Sequence, residues 1–296
     1  MAEQNQYRVG VAYVALSALA WSTSGLFMRA IHADLMTMLF CRGIVSGSGV
    51  FALFLFIERG RAFRIIRSMR GSSVAATLFS STAMISGIGS MYYTAIADAM
   101  VIYATVPFVT AGAAFFFIKE RPSLATMIAA GVALLGVLVM LAGTGSGDGG
   151  WFGRGLAVIM TLSVAGLAVV MRQSRDVPML PAMAASSWLC SIICFWFASP
   201  GSVSSTDIEL IIGFGLIQSA MGLSLYTFGS RLIPASDASL LQALEVPLTP
   251  IWVWIVFGEA PSHATMIGGP IVLFALFGHI VFEVRRNRAP AEVAAA

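Results

Sequence analysis

The sequence predicts an all-α integral membrane protein, with ten transmembrane helices arranged as two inverted five-helix repeats and both termini in the cytoplasm. Three observations carry this prediction. Of the 296 residues, 58% are hydrophobic and only 10% are charged, whereas roughly a quarter are charged in a soluble domain. Apolar runs of about 20 residues, the length of a spanning helix, follow one another along the chain. A stretch of the first half also returns in the second half.

This internal repeat has an offset of 139 residues, at which Asp98 matches Asp237. The pattern E-x-P-S-x-A-T-M-I occurs in both copies, beginning at Glu120 and at Glu259. Apolar runs resemble one another by chance because they use few residue types, but chance does not explain shared polar residues. The chain is therefore interpreted as two copies of one unit.

Ten apolar runs are candidates for membrane-spanning helices, and we number them segments 1 to 10. Their predicted limits are 9–28, 35–57, 73–94, 98–118, 123–143, 154–171, 181–199, 209–230, 237–257 and 262–283. The predicted domains are a first repeat (1–143), a Gly-rich external linker (144–152), a second, inverted repeat (153–284) and a cytoplasmic tail (285–296). Short joins predict antiparallel neighbours.

The distribution of positive charge predicts the orientation. With a cytoplasmic N-terminus, 14 of the 17 Lys and Arg residues fall on the cytoplasmic side and only Arg29 and Arg154 fall outside. The positive-inside rule therefore places both termini in the cytoplasm. Ser146 and Ser262 are expected outside, and Arg64 and Arg175 inside.

Five is an odd number, so the second repeat must enter the membrane from the opposite side. This is the design of many secondary transporters, whose binding site lies near the midplane between the repeats. We expect segments 1, 3, 4, 6, 8 and 9 to form most of that site and the two repeats to rock around it in alternating access. Segments 5 and 10 are expected at the periphery or between the repeats.

Two short patterns have a chemical and a plain interpretation. Gly145, Gly147 and Gly150 match G-x-G-x-x-G, but a dinucleotide loop follows a strand, so a flexible linker is favoured. Cys190 and Cys194 could form a metal or redox pair, although apolar packing is favoured.

We predict no cofactor, no metal and no nucleic-acid partner. The expected partners are the lipid bilayer and a small-molecule substrate, and the expected state is a monomer or weak dimer.

Glu245 is an acid near the centre of segment 9. A carboxylate at that depth costs about 2.5–3.5 kcal/mol on insertion scales. On a continuous helix it shares one face with Gln242, Thr249 and Trp252. The favoured interpretation is that this face lines a cavity and that Glu245 binds substrate, a proton or an ammonium group. The alternative is a protonated Glu245 that fastens segment 9 to a neighbouring helix.

Further candidate substrate-binding residues lie in segments 1, 3, 4 and 8. They are Trp21, Tyr92, Tyr103 and Gln218. At the repeat offset, Tyr103 takes the place of Gln242, and Val106 that of Glu245, so one half offers an aromatic group where the other offers an amide and an acid. For each aromatic residue taken alone, an interfacial belt or simple packing is favoured. Trp21 is the exception, because it lies too deep for a belt.

Arg42 lies inside segment 2. Its side chain could snorkel to the external face, pair with Asp34 or another helix, or bind substrate, and a structural role is favoured. Gly43 and Gly47 are one turn apart and predict close helix packing beside it.

Several short motifs resemble those of the EamA-type branch of the drug/metabolite transporter superfamily. They are L-A-W-S in segment 1, F-C-R in segment 2, and L-E-V-P followed by F-G-E-A-P-S around segment 9. Two positions depart from the family pattern: Val246 separates Glu245 from Pro247, and Ser22 follows Trp21 where glycine is usual. The resemblance implies a ten-helix exporter of amino acids, other metabolites or drugs. The bacterial aromatic amino-acid exporters are the most similar subgroup.

Other classes of protein fit the residues less well. A membrane enzyme, such as a lipid-modifying transferase, would need clustered His, Asp or Glu, but His32, His263 and His279 are scattered. A structural subunit would not need Glu245. We therefore expect a secondary transporter, not an enzyme, that exports neutral amino acids across the bacterial inner membrane, with aromatic or large apolar ones favoured. Export of cationic drugs or polyamines is the alternative.

Overall fold

The computed structural model describes residues 2–69, 71–119, 124–142, 150–174, 179–229, 232 and 241–293, and this part of the chain is helical, without strands. Seven of its helical stretches are long and apolar enough to cross a membrane, and they fall in segments 1, 2, 3, 4, 6, 8 and 10. Shorter apolar helices fall in segments 5, 7 and 9. Residues 144–149 of the predicted linker, Glu120, Arg175 and Asp237 lie outside the described residues.

The helices of the first repeat are Ala2–Ser22 and Ser24–Ala30 (segment 1), Leu35–Glu58 (2), Gly71–Tyr93 (3), Ile96–Tyr103 and Val106–Ile118 (4) and Leu124–Ala142 (5). Those of the second are Gly150–Gln173 (6), Leu180–Phe195 (7), Ser205–Phe214 and Gly222–Gly229 around a π-helical stretch Gly215–Met221 (8), Glu245–Phe257 (9) and His263–Val293 (10). A 3-10 turn, Arg59–Arg61, and a short helix, Ala62–Arg67, follow segment 2, and another 3-10 turn, Pro200–Ser202, precedes segment 8.

Segments 4 and 9 are interrupted at equivalent places. Two-residue turns occupy 104–105 and 243–244, which are separated by the 139-residue offset of the repeat. Pro107 and Pro247 follow these turns. A proline lacks the N–H donor, and its ring clashes with the carbonyl four residues earlier. Each helix therefore stops and begins again at matching positions, Val106 and Glu245.

The packing of the segments follows a two-fold pattern. Segment 3 packs on segment 6 and segment 8 on segment 1, while segment 4 contacts segment 6 and segment 9 contacts segment 1. Segments 2 and 7 pack on each other, as do segments 5 and 10. Segments 1 to 5 correspond to segments 6 to 10. If corresponding segments are exchanged, the contact of 3 with 6 becomes that of 8 with 1, the contact of 4 with 6 becomes that of 9 with 1, and the pairs 2 with 7 and 5 with 10 stay the same.

Small residues allow the close approach of segments 2 and 7. A β-carbon added at Gly43 would come within 2.6 Å of the Ser187 carbonyl oxygen, and one at Gly47 would come within 2.5 Å of Trp188 Nε1. The predicted close packing at these two glycines is confirmed.

Residues from both repeats share one core. Its large, deeply buried members include Met38, Leu39, Ile96, Met100 and Ile102 of the first repeat and Ile211, Phe214, Val253, Val272 and Leu276 of the second. Cys190 and Cys194 are free thiols within this core. The outer surface is also apolar: Phe116, Trp196 and Phe274 are 78%, 81% and 79% exposed. Such a surface would promote aggregation in water but suits contact with lipid.

Candidate functional site

A cavity of about 340 Å³ lies between the two repeats. This volume is at the lower end of the range of roughly 300–1,000 Å³ that small-molecule sites occupy. Segments 1, 2, 3, 4, 6, 7, 8 and 9 contribute to its wall, whereas no described residue of segments 5 and 10 does so. Segments 5 and 10 stay out of the described wall, as predicted, and segments 2 and 7 add to the main segments that the sequence named.

Glu245 lines the cavity as the first residue of the helix that resumes after the turn in segment 9. The first backbone N–H groups of a helix have no intrahelical acceptor, and the helix dipole favours negative charge there. Among the described residues the carboxylate forms no ion pair. The Gln242 amide approaches it, but both amide polar atoms lie outside hydrogen-bond geometry.

Aromatic and sulfur-containing side chains form much of the remaining wall. Trp21 and Tyr103 line the cavity from segments 1 and 4. The Trp21 ring lies 5.6 Å from that of Tyr226, and a β-carbon at Gly222 would come within 2.7 Å of Trp21 Cδ1. Glycine at position 222 therefore leaves room for the indole. Five methionines complete this part of the wall: Met84, Met91, Met100, Met160 and Met183.

Arg42 also lines the cavity, and its side chain does not snorkel, because the residue is only 4% exposed. Its Nη2 donates to Gln218 Oε1 at 2.5 Å and to Ser219 Oγ at 3.3 Å. Asp34 does not pair with it, since the Asp34 side chain accepts from the Thr37 backbone N–H at the start of segment 2. Arg42 therefore pairs with another helix, segment 8, which is one of the structural roles expected from the sequence, and it also lies in the cavity wall.

The structure brings together half of the residues that the sequence singled out for substrate binding. Glu245, Trp21, Tyr103 and Gln218 line the cavity. The Thr249 hydroxyl instead donates to the Glu245 carbonyl at 2.9 Å, within the helix. Trp252 Nε1 donates to Ser22 Oγ at 3.0 Å and so links segments 9 and 1.

Tyr92 and Gln242 do not line the cavity either. Tyr92 is 41% exposed at the predicted external face, where it packs edge-to-face on Tyr93 at 5.1 Å. Gln242 lies just before the turn in segment 9, with its amide near the Glu245 carboxylate but outside the cavity wall.

Comparison with known families decides the identity. The model of the EamA-like transporter family matches this chain twice, at residues 8–142 and 151–281. The chain belongs to the EamA-like transporter family. The family suggested by the short motifs is thereby confirmed, and the protein is a membrane transporter with two EamA units.

One relative and one solved structure are similar to this EamA transporter over most of its length. An uncharacterized transporter of Archaeoglobus fulgidus is 22% identical over 276 residues, which cover 90% of this chain and 94% of the relative. A solved crystal structure with 17% sequence identity superimposes with a TM-score of 0.63, covering 94% of this chain and 98% of the other. At that identity the superposition shows a shared fold alone.

A second polar site of this EamA transporter, which the sequence did not predict, lies at the predicted external face. Arg154 Nε and Nη2 donate to Asp98 Oδ2 at 2.8 and 2.5 Å, and both side chains are buried. Asp98 also accepts from the hydroxyls of Ser262, at 3.1 Å, and Thr265. These contacts join segment 4 of the first repeat to segments 6 and 10 of the second.

The neighbouring ion pair joins the repeats as well. Arg29 Nε donates to Glu259 Oε2 at 2.5 Å, and Arg29 Nη2 donates to Glu259 Oε1 at 3.0 Å. Arg29 also reaches the Thr94 carbonyl at 3.2 Å. Glu259 accepts from the Ile96 backbone N–H at 3.1 Å and so caps the first helix of segment 4. We call these two ion pairs the interrepeat cluster.

Proposed function

We propose that this EamA transporter exports neutral amino acids, aromatic or large apolar ones in particular, across the bacterial inner membrane by alternating access. The observation that carries the proposal is the composition of the cavity wall. Glu245 and Arg42 are the charged residues among the described side chains that line it, so their formal charges cancel. The rest of the wall is mainly apolar, aromatic and hydroxyl groups. Such a wall suits a molecule with no net charge and an apolar body.

Glu245 is the proposed site for the substrate ammonium group or for a proton. The carboxylate faces the cavity without an ion-pair partner in the described part of the chain, although burying an uncompensated charge is costly. Trp21 and Tyr103 are placed to contact a ring, and aromatic pairs add about 0.5–1.5 kcal/mol each. These features support an aromatic or large apolar substrate side chain.

The proposed topology has ten crossings in two inverted repeats, with both termini in the cytoplasm. Two observations support it: the two-fold packing pattern, and the meeting of Arg29, Asp98, Arg154 and Glu259 at one face, as ten alternating crossings require. In a cysteine-free background, a cysteine at Ser262 should react with an impermeant thiol reagent added to intact cells. A cysteine at Arg64 should react only after permeabilisation, and its labelling in intact cells would contradict the inverted model.

Transport in proteoliposomes of purified protein tests the substrate class. Uptake of labelled phenylalanine, tryptophan and threonine is compared with that of a polyamine, with Glu245→Gln measured beside the wild type. We expect uptake of phenylalanine and tryptophan that falls at least tenfold in the variant. Uptake of the polyamine alone would favour the cationic alternative. Unchanged amino-acid uptake by Glu245→Gln at every pH would make the carboxylate structural.

A further inference from the structure

Arg42 is a buried cation whose hydrogen-bonding capacity is only partly used. A guanidinium has five N–H donors. Nη2 contacts Gln218 and Ser219, but Nε and Nη1 are buried with no hydrogen-bond partner among the described residues. Three of the five donors are therefore unpaired. Buried donors without partners are costly, so this arrangement is suited to an acceptor that arrives from the cavity.

The groups that hold Arg42 fix its position without cancelling its charge. Gln218 and Ser219 are neutral, and the guanidinium carbon lies 4.4 Å from the centre of the Phe214 ring. These contacts come from segment 8, on and next to its π-helical stretch. Ser46, one turn after Arg42, also bonds to Ser219 at 3.0 Å. The side chain is thus oriented in advance, a condition that strengthens ligand binding.

The other charged residue in the described cavity wall does not neutralise Arg42. An ion pair between Arg42 and Glu245 would place their N and O atoms within 4.0 Å, and the described structure contains no such pair. By contrast, Arg29 and Arg154 each lie 2.5 Å from a carboxylate oxygen. Arg42 and Glu245 therefore present opposite charges to the same cavity from segments 2 and 9.

We propose that Arg42 binds the carboxylate of the substrate while Glu245 faces its ammonium group, so that the two residues together select zwitterionic α-amino acids. The inference rests on the proposed function and adds the residue that recognises the acid end of the substrate. Arginine binds carboxylates through charge-assisted N–H donors, and the free donors of Arg42 supply them. A polyamine has no group for Arg42 and would bring further positive charge beside it.

The test uses three ligands of similar size: phenylalanine, phenethylamine, which lacks the carboxylate, and 3-phenylpropionate, which lacks the amine. In wild-type proteoliposomes, phenethylamine and 3-phenylpropionate should each compete with labelled phenylalanine about 30-fold more weakly than unlabelled phenylalanine does. This measurement needs no variant. Competition by phenethylamine as strong as that by phenylalanine would overturn the role of Arg42.

Substitutions of Arg42 then distinguish a role in substrate recognition from a structural role. Arg42→Gln should raise the apparent KM for phenylalanine about 30-fold or more, while any phenethylamine uptake changes less than about threefold. Arg42→Lys keeps the charge but loses the planar donor set. Its apparent KM for phenylalanine should lie between those of the wild type and Arg42→Gln. The matched control is Arg64→Gln, the same replacement at an exposed residue, and it should leave both substrates unchanged.

Two failures can be told apart. If the wild type moves phenylalanine and Arg42→Gln moves it equally well, only the role of Arg42 is overturned. Equal losses of phenylalanine and phenethylamine uptake in Arg42→Gln would also overturn it and show a structural residue. If the wild type moves phenethylamine or a polyamine but no amino acid, the proposed function fails, and the carboxylate site fails with it.

Discussion

The cavity and the interrepeat cluster both contain arginine and acidic side chains, but they use them differently. In the cluster, Arg154 donates twice to Asp98, and two hydroxyls complete the coordination of that carboxylate. In the cavity, Arg42 and Glu245 face a shared space without an ion pair between them. Each acid of the cluster is paired with an arginine, although Arg154 Nη1 has no hydrogen-bond partner among the described residues. The charges of the cavity have no ion-pair partner in the described part of the chain, and a ligand can provide one.

This difference suggests a division of work between the two regions. A buried ion pair with satisfied hydrogen bonds fixes one arrangement of the elements that it joins, and removing one partner leaves an uncompensated charge. The interrepeat cluster joins the repeats at the predicted external face and so holds that side together. Under alternating access, the contacts of the cluster must open when the cavity faces outward. The cavity charges should influence transport more than stability.

The largest effect on stability is expected for Arg154→Gln. This change leaves the Asp98 carboxylate buried without its cation, which costs about 3–5 kcal/mol. Size-exclusion chromatography of the purified protein after heating measures the loss, with Arg64→Gln as the exposed control. A melting temperature within the error of the wild type would show that the buried pair does not hold the repeats together.

A smaller effect is expected for Arg29→Gln, because the side chains of Arg29 and Glu259 are 26% and 25% exposed. Partly solvated pairs contribute about 1 kcal/mol or less. The more informative readout is access to the cavity. A cysteine at Met91, which lines it, should react faster with a reagent added from outside when Arg29 is replaced. An unchanged labelling rate would show that this ion pair does not help to close the external side of the cavity.

The smallest stability effect is expected for Glu245→Gln, which removes a cavity charge that has no ion-pair partner. Because a neutral amide is cheaper to bury than a carboxylate, the melting temperature should stay the same or rise while amino-acid uptake falls. Thermal stability and uptake measured on one preparation check this. A clear fall in melting temperature would place Glu245 with the structural charges and remove the contrast between the two regions.

The helical segments could be predicted for a physical reason, because spanning helices need long apolar runs. The family was predicted from the resemblance of short motifs. Glu245 stood out because an acid is rare at that depth. The orientation and number of crossings remain predictions, supported by the charge bias.

The composition of the site was harder to predict. The stripe of Gln242, Glu245, Thr249 and Trp252 assumed a continuous helix. The helix is interrupted at 243–244, and Glu245 is the one residue of the four that lines the cavity. Arg42 was given a structural role because a charged residue inside a spanning helix usually pairs with a neighbouring helix. Its contacts depend on Gln218 and Ser219, 176 and 177 residues away. No local pattern in the sequence indicates that the fold brings these residues into contact.

The interrepeat cluster shows the same limit. Asp98 and Glu259 were noticed because they match residues of the other repeat, not because they pair with anything. Their partners, Arg154 and Arg29, entered only as the two external exceptions to the charge bias. The pairing became visible once the fold had brought the ends of segments 1, 4, 6 and 9 to one face.

The five methionines of the cavity wall have a consequence for the breadth of the substrate range. Methionine is unbranched and polarizable, and it adapts its shape to different neighbours. Arg42 is fixed by its contacts, whereas this part of the wall is deformable. The backbone end of a substrate would then be recognised strictly and its side chain loosely, giving a transporter with several related cargoes. Oxidation to the sulfoxide would make the same wall polar, so oxidative stress would alter the cargo preference.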